Sequence, residues 1–445
     1  MSRVVVTGGS GFIGSAVVDR LRAAACETCI FDVRKSPHHA PGEIETIIGD
    51  VRKPADVRRA VEGCDVIVHM AAAADVNDVA ERPGPAEELN ARATLNVLEA
   101  ARDAGVKRVV YASTIWVYSD VDAHVVDEDT PLRPPAHLYT ATKLAGELYC
   151  RSYAELYGVD YTILRFGIPY GPRARPAAVV PIFVRKALNG EPLTVAGGGQ
   201  QSRRFVYVED LANGVVKALA PVARNRTYNL VGSEDVTVLE IASTVQSLVG
   251  DVEIEHVEGR SADFGGVQVD GSRAERELGW RAETPFREGV RRYIAWHREN
   301  ETREESTERV ALRASLKAAA RTAAALLMSA FAGIGAAGIA TLSNPDDAAD
   351  RAGYVAVIAL LMLPLALVAD LDWDGARRRA IASLVTMGVI AAVAASIFPT
   401  PAYVARLVNA HHWGSGLLAV CAAVAFVLAR RVTRPARQSA SDSAA

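Results

Sequence analysis

The stretch Val4-Val-Val-Thr-Gly-Gly-Ser-Gly-Phe-Ile-Gly14 decides the fold. Val4 to Val6 are β-branched and apolar, which suits a buried strand. Glycines follow at 8, 11 and 14, and Ala16, Val17, Val18 and Leu21 then open an amphipathic helix. A strand that turns sharply into a helix N-terminus aims backbone N–H groups and a positive helix end at one spot. Glycines there let a pyrophosphate reach the backbone and let the helix pack on the strand. The spacing is G-x-x-G-x-x-G, and a glycine trio alone does not separate a dinucleotide site from an ordinary tight βα turn. Gly8, Gly11, Phe12, Ile13 and Gly14 are therefore candidates for holding cofactor phosphates, in need of support from elsewhere in the chain.

Outward from this stretch, strands are expected at 3–7, 28–32, 44–48, 65–69, 108–112 and 160–165, and helices at 12–24, 54–62, 85–104 and 138–157. Continuous apolar strands alternating with amphipathic helices argue for an α/β fold, a parallel sheet covered on both faces. The second strand ends at Asp32, where an acid can accept both adenosine ribose hydroxyls and repel a 2′-phosphate. That favours NAD over NADP, with Arg34 and Lys35 pulling the other way; a plain turn residue is the competing reading. Gly49-Asp50-Val51 closes the third strand. His69-Met-Ala71-Ala72-Ala73 closes the fourth, placing small residues where a cofactor can lie against the backbone, with His69 itself read as a core histidine.

The chemistry falls on the fifth strand and the following helix. Ser113 and Thr114 end the strand, and Tyr139 and Lys143 stand at i and i+4, on one helix face. An ammonium near a phenol favours phenolate, so Lys143 is expected to lower the Tyr139 pKa. A phenol tuned in this way exchanges a proton with a substrate hydroxyl, and the Thr114 hydroxyl can hold the same oxygen. A lone Y-x-x-x-K is common on helix surfaces; here it follows a glycine loop, an acid after strand two and a strand-five Ser-Thr.

The formal net charge of −3 offers no basic field for nucleic acid. Cysteines at 26, 29, 64, 150 and 421 form no disulfide framework, and Cys26 and Cys29, although spaced C-x-x-C, read as core residues. No metal site is expected. The N-terminus runs into the first strand without a signal peptide, so the first part of the chain is expected in the cytosol.

Taken together, residues 1–300 resemble the extended short-chain dehydrogenase/reductase family, in its NAD-dependent nucleotide-sugar epimerase/dehydratase branch. Thr7 to Gly14, Asp32, Asp50-Val51, Ala71 to Ala73, Asn90, Ser113-Thr114, Tyr139 and Lys143 carry the likeness. Further on it is carried by Leu164-Arg165, Pro169-Tyr-Gly-Pro172, Arg203 to Asp210 and Glu277-Leu-Gly-Trp280. The resemblance implies a Rossmann-like doubly wound sheet with a small α/β substrate lobe, mainly 168–200 and 233–285. It implies NAD held by the glycine loop, Asp32, Asp50, Val51, Ala71, Ala72, Ala73, Asn90 and Lys143. Ser113, Thr114 and Tyr139 would contact substrate, and Arg203 and Arg260 would grip the diphosphate of a nucleotide-sugar, a task suited to the planar guanidinium fork. Two departures bear on specificity. Ile168 stands where the family often has Asn before Pro169. Ile115 and Trp116 stand where sugar 4,6-dehydratases carry an acidic pair, which argues against dehydration.

Beyond residue 300 the composition changes. Asn300 to Arg309 begins a charged linker, taken as 301–319. Four runs free of Asp, Glu, Lys and Arg follow at 322–342, 353–369, 380–398 and 413–429. Their lengths approach the hydrocarbon thickness, so an all-α transmembrane region of four helices is expected over 320–432, with a polar tail over 433–445. Arg313, Lys317, Arg321, Arg377 to Arg379, Arg430, Arg431, Arg434 and Arg437 flank one side, against Arg351 and Arg406 on the other. This bias places the enzymatic domain and C-terminus in the cytoplasm of a multi-pass cell-membrane protein bound to the lipid bilayer. Gly333-Ile-Gly335-Ala-Ala-Gly338 matches a nucleotide fingerprint by spacing, but no strand precedes it, and its small residues suit close helix approach. The region reads as an anchor that can also oligomerise, a homodimer included.

The function expected first is a membrane-anchored NAD-dependent epimerase of a nucleotide-activated sugar, working through a transient 4-keto intermediate. Two alternatives stand beside it: a membrane-bound dehydrogenase of a sterol or polyprenyl-linked alcohol, and a non-catalytic NAD-binding membrane scaffold.

Overall fold

A computed structural model describes residues 2–250, 252–258, 267–300, 314–316 and 318–319. Arg260, most of the 301–319 linker, the four apolar runs and the 433–445 tail lie outside the described residues. Among the described residues no helix is long and apolar enough to cross a membrane. Residues 1–299 form one compact unit.

In chain order the first half contains β1 (Arg3–Thr7), α1 (Phe12–Ala23), β2 (Glu27–Asp32), β3 (Glu45–Ile48), α2 (Pro54–Val61), β4 (Val66–His69), α3 (Val76–Glu81), α4 (Pro83–Glu87), α5 (Ala93–Ala104), β5 (Arg108–Thr114), β6 (Val125–Val126) and α6 (Leu138–Tyr157). The second half contains β7 (Asp160–Phe166), β8 (Ile168–Tyr170), α7 (Val179–Leu188), β9 (Leu193–Ala196), β10 (Ser202–Tyr207), α8 (Val208–Lys217), β11 (Arg226–Leu230), β12 (Asp235–Thr237), α9 (Val238–Val249), β13 (Ile254–Val257), β14 (Gln268–Val269) and α10 (Ser272–Leu278). Residues 286–300 form a closing helix.

Seven strands build the main sheet in the order β11-β7-β5-β4-β1-β2-β3, all parallel. The chain winds outward through β2 and β3, then crosses back to place β4 on the other side of β1. That reversal opens a crevice at the carboxyl ends of β1 and β4, where open α/β sheets bind their ligands.

The valine run of β1 serves both faces of the sheet. Val4 and Val6 join the core under α1 and α8 with Val17, Leu21, Leu211 and Val215. Val5 joins the opposite core with Phe31, Ile67, Val97 and Ile163. Cys29 is buried in that second layer and Cys26 is half-buried, and both are free thiols.

A third core belongs to the lobe and unites Val180, Phe183, Val195, Phe205, Ile241 and Val245 with Phe286, Val290 and Tyr293 of the closing helix. The lobe therefore takes in β10 and the closing helix. Ala274 and Trp280, by contrast, pack into the α1 side of the main sheet. The indole of Trp280 donates to the Asp210 carbonyl (2.9 Å), holding this return to the core of the sheet.

The helix expected over 85–104 is interrupted. Pro83 starts the short α4, and residues 88–92 form one π turn before α5. Single π turns inside helices re-aim side chains and are frequent at functional sites. This one carries Asn90.

Candidate functional site

A cleft of about 970 Å³ opens at the crevice between β1 and β4. Its wall includes Gly8, Gly11, Phe12, Ile13 and Gly14 at one end of α1, Asp32 after β2, Asp50 and Val51 after β3, and Ala71 and Ala72 after β4. Ser113, Thr114, Tyr139 and Lys143 complete it from β5 and α6. The fourth strand end, the fifth strand end and the first turn of α6 thus meet although they are far apart in sequence.

The glycine loop fits the pyrophosphate of NAD on two observations. Gly8 has φ +71, a conformation that L side chains avoid, and a Cβ there would lie 2.8 Å from the Ala71 nitrogen. No side chain caps α1 at Gly11, so the first helical N–H groups are left for an anion. Asp32 stands beside this loop. It accepts from the Ser10 N–H (3.0 Å) and the Arg34 N–H (3.3 Å), which holds the carboxylate beside the glycine loop. Asp50 is engaged by Arg52, whose guanidinium holds that carboxyl below the usual carboxylate range.

Asn90 and Ala73 are absent from the cleft wall, and they explain each other. The Asn90 amide accepts from the Ala73 N–H (2.8 Å) and donates to the Ala73 carbonyl (3.0 Å) and to the Thr142 hydroxyl (3.1 Å). Asn90 is 1 % exposed. Through these bonds it fixes the backbone at Ala73. Thr7 supports the same segment by accepting from the Met70 and Ala71 N–H groups at 3.2 Å each.

At the reacting end, the Thr114 hydroxyl accepts from the Trp116 N–H (3.2 Å) and lies near enough to the Tyr139 phenol to favour its charged form. Lys143 donates from Nζ to the Ala112 carbonyl (2.9 Å) and lies over the Tyr111 ring. Tyr111 reaches α6 because position 146 is glycine: a Cβ there would meet the Tyr111 hydroxyl at 2.2 Å.

The expected lowering of the Tyr139 phenol by Lys143 is not what this structure shows. Burial pushes Tyr139 up to about 12, with the Thr114 hydroxyl and the Arg175 charge acting against it. Burial also brings Lys143 down to about 8, opposed by Glu147. The physical reason is orientation: the ammonium points at a strand carbonyl, and desolvation outweighs the charges around the phenol.

Arg203 lies on β10, where Nη1 folds back to the Ser202 carbonyl (2.8 Å), and the cleft wall does not include it. Arg260 lies outside the described residues. The cleft instead presents Arg175, paired with Asp75 at 3.3 Å, together with the apolar Trp116 and Ile168. Arg175 sits in an Ala- and Pro-rich loop, Gly171-Pro-Arg-Ala-Arg-Pro176, where no periodic pattern signals it. The backbone of that loop takes positive φ at Gly171 (φ 125) and Arg173 (φ 69).

The chain belongs to the NAD dependent epimerase/dehydratase family, whose model matches residues 4–231. It is similar to a putative UDP-glucose 4-epimerase of Methanocaldococcus jannaschii, 32% identical over 305 residues that span 67% of this chain and 99% of the relative. Among solved structures it is similar to the UDP-glucose 4-epimerase of Thermotoga maritima with UDP-glucose (27% identity, TM-score 0.64, 67% of this chain and 99% of that one). It is also similar to the UDP-glucose 4-epimerase of Thermus thermophilus with NAD (32% identity, TM-score 0.61, 66% and 99%). The protein is an NAD-dependent enzyme of this family, and its sheet and cleft are those of the family's Rossmann-like fold.

Proposed function

We propose that the protein interconverts nucleotide-activated sugars as an NAD-dependent 4-epimerase. The observation that carries this reading is the buried Thr114–Tyr139–Lys143 set at the reacting end of the NAD cleft, with Ile115 and Trp116 in place of an acid-bearing pair. Bound NAD supplies a hydride acceptor that returns the hydride later, so no net oxidation occurs. Tyr139 takes the proton of the sugar 4-hydroxyl while the C4 hydride leaves, and gives it back as the ketone is reduced on its other face. Thr114 holds the same oxygen. The positive charge of an oxidised nicotinamide bound beside Tyr139 would favour the phenolate against burial, and Lys143, held on the Ala112 carbonyl, would keep a second positive charge on the same helix face.

The apolar Ile168 suits this turnover, because its side chain makes no hydrogen bond that would fix one face of a ketone that must present both. An elimination of water would need an acid to protonate the leaving hydroxyl, and neither Trp116 nor Ile168 supplies one. The relatives' named substrates support a UDP-sugar as the nucleotide-sugar. Purified protein incubated with a panel of nucleotide-sugars, without added cofactor, should convert one to its 4-epimer. Net accumulation of NADH or of a 4-keto-6-deoxy sugar would refute the reading.

We further propose that residues 320–432 anchor the enzyme in the cell membrane with the catalytic domain on the cytoplasmic side, and that the anchor permits homodimers. Four charge-free apolar runs and the one-sided Arg and Lys support this. Full-length protein should sediment with membranes and resist carbonate extraction, whereas a chain ending at residue 300 should be soluble and bind NAD. A full-length protein found wholly in the soluble fraction would overturn it.

A further inference from the structure

Behind the catalytic set lies an ion pair that the proton transfer does not use. Glu147 follows Lys143 by one helical turn on α6, and Arg165 stands on β7 in register with Ser113 of β5. Their side chains are 1 % and 2 % exposed. Arg165 Nε donates to Glu147 Oε1 (2.9 Å) and Nη2 donates to Oε2 (2.7 Å), a bidentate fork. Nη1 donates to the Tyr118 hydroxyl (2.6 Å), which donates onward to Asn229 Oδ1 (2.9 Å). The Ser113 hydroxyl donates to Glu147 Oε1 at 2.6 Å.

A buried ion pair is weak evidence for stability, since desolvation offsets the attraction and apolar side chains of similar volume often do as well. Its placement has two chemical consequences. A serine hydroxyl carries one proton. Ser113 gives that proton to Glu147, so toward the cleft it offers only lone pairs and accepts from an N–H or O–H donor. Glu147 also sets a negative charge one turn from the Lys143 ammonium. The other groups facing Lys143 are the Tyr111 ring 5.2 Å away on β5 and His69 on β4, with Tyr139 one turn earlier on its own helix. Burial holds His69 neutral, down to about 3. Glu147 is faced in turn by Arg165, Ser113, Tyr111 and Cys150. Glu147 alone among these groups acts to keep the lysine protonated against its burial.

We propose that Glu147, clamped by Arg165, is a positioning residue for the reaction: it fixes Ser113 as a hydrogen-bond acceptor toward the cleft and holds a negative charge beside the Lys143 ammonium. The donor taken by Ser113 is either the carboxamide of the nicotinamide or a sugar hydroxyl. The turnover readouts below rest on the epimerase reading; the NAD-binding readouts do not.

The test uses the full chain with Glu147→Gln, with the double variant Glu147→Gln/Arg165→Met, and with Ser113→Ala. The double variant removes both buried charges and so avoids stranding a guanidinium in the core. NAD affinity across pH, turnover across pH and thermal melting are measured for each. Both Glu147 variants should move the alkaline limb of NAD affinity and of turnover toward acid by about one pH unit, the scale of a single opposite charge at this range. Ser113→Ala should leave that limb in place. It should weaken NAD several-fold if the donor is the carboxamide, or raise KM with NAD affinity intact if it is a sugar hydroxyl. A double variant that melts with the wild type and keeps the wild-type limb overturns the proposal, as does a Ser113→Ala protein with unchanged NAD affinity and KM. If the wild type converts no nucleotide-sugar, the epimerase reading fails separately, and the pH dependence of NAD binding still decides the role of Glu147.

Discussion

Gly14→Ala is the sharpest probe of the cofactor site. A Cβ on Gly14 would stand 2.2 Å from the Gly8 carbonyl oxygen and 2.9 Å from both the Gly8 carbonyl carbon and the Gly9 Cα. All three are backbone atoms, so no side chain can swing aside. The oxygen must retreat by roughly 0.8 Å to reach even a 3.0 Å contact, a displacement in the range where overpacking costs about 1–3 kcal/mol. That oxygen also accepts from the Gly11 N–H at 3.0 Å, so the shift runs through the whole phosphate-facing turn. If the bound state requires the original turn, the same energy appears in binding, and the NAD Kd rises about ten- to a hundred-fold. The assay is calorimetric titration of NAD into cofactor-stripped protein, alongside thermal melts. Gly84→Ala serves as the control, because a Cβ there meets nothing within 4 Å. A Gly14→Ala protein that binds NAD within about two-fold of wild type, while Gly84→Ala does the same, would refute the placement of the pyrophosphate on this turn.

Further outcomes follow from the same geometry. Tyr139→Phe should abolish epimerisation while NAD affinity, read by calorimetry, stays near wild type; retained turnover would remove Tyr139 from the proton transfer. Wild-type protein should bind NAD more tightly than NADP, and Asp32→Ala should narrow the gap; equal affinities in the wild type would shift attention to Arg34 and Lys35. Asn90→Ala should lower thermal stability by about 1–3 kcal/mol, because both polar groups of Ala73 lose their buried partner, and should weaken NAD as the 71–73 backbone loosens; an unchanged melt would refute the clamp. Folded His69 stays neutral down to about 3, whereas its unfolded form takes a proton near the ordinary 6.5. The unfolded state therefore binds more protons between these values, and stability falls as pH drops from about 6.5 toward 3. His69→Asn should flatten the pH dependence of stability in that window, and an unaltered acid profile would count against the burial argument.

The β1–α1 stretch made the parallel sheet legible because a buried parallel strand is apolar at every position, and Val4 to Val6 have no other comfortable home. The Tyr139–Lys143 spacing was legible for a similar reason: i and i+4 share a helix face whatever surrounds them. β11 was not read as a strand. Arg226-Thr-Tyr-Asn-Leu230 is polar enough to pass for a loop, and its place beside β7 is set by long-range pairing. The π turn at 88–92 has no sequence signal beyond the prolines before it. Arg175 was missed because loop residues obey no period. The direction of the Tyr139 shift was misjudged because spacing gives proximity along a helix but not where a flexible ammonium points, nor how deeply a phenol is buried.

Trp116 gives the enzyme an optical reporter at the reacting end. Its indole lies in the same wall as Tyr139 and Lys143. Indole emission overlaps the absorption of reduced nicotinamide but not that of the oxidised form. Whenever hydride is parked on the cofactor and the sugar is a ketone, this tryptophan should dim, and it should brighten when the hydride returns. The lifetime of the oxidised sugar could then be followed in the unlabelled protein, turnover by turnover, with no coupled assay.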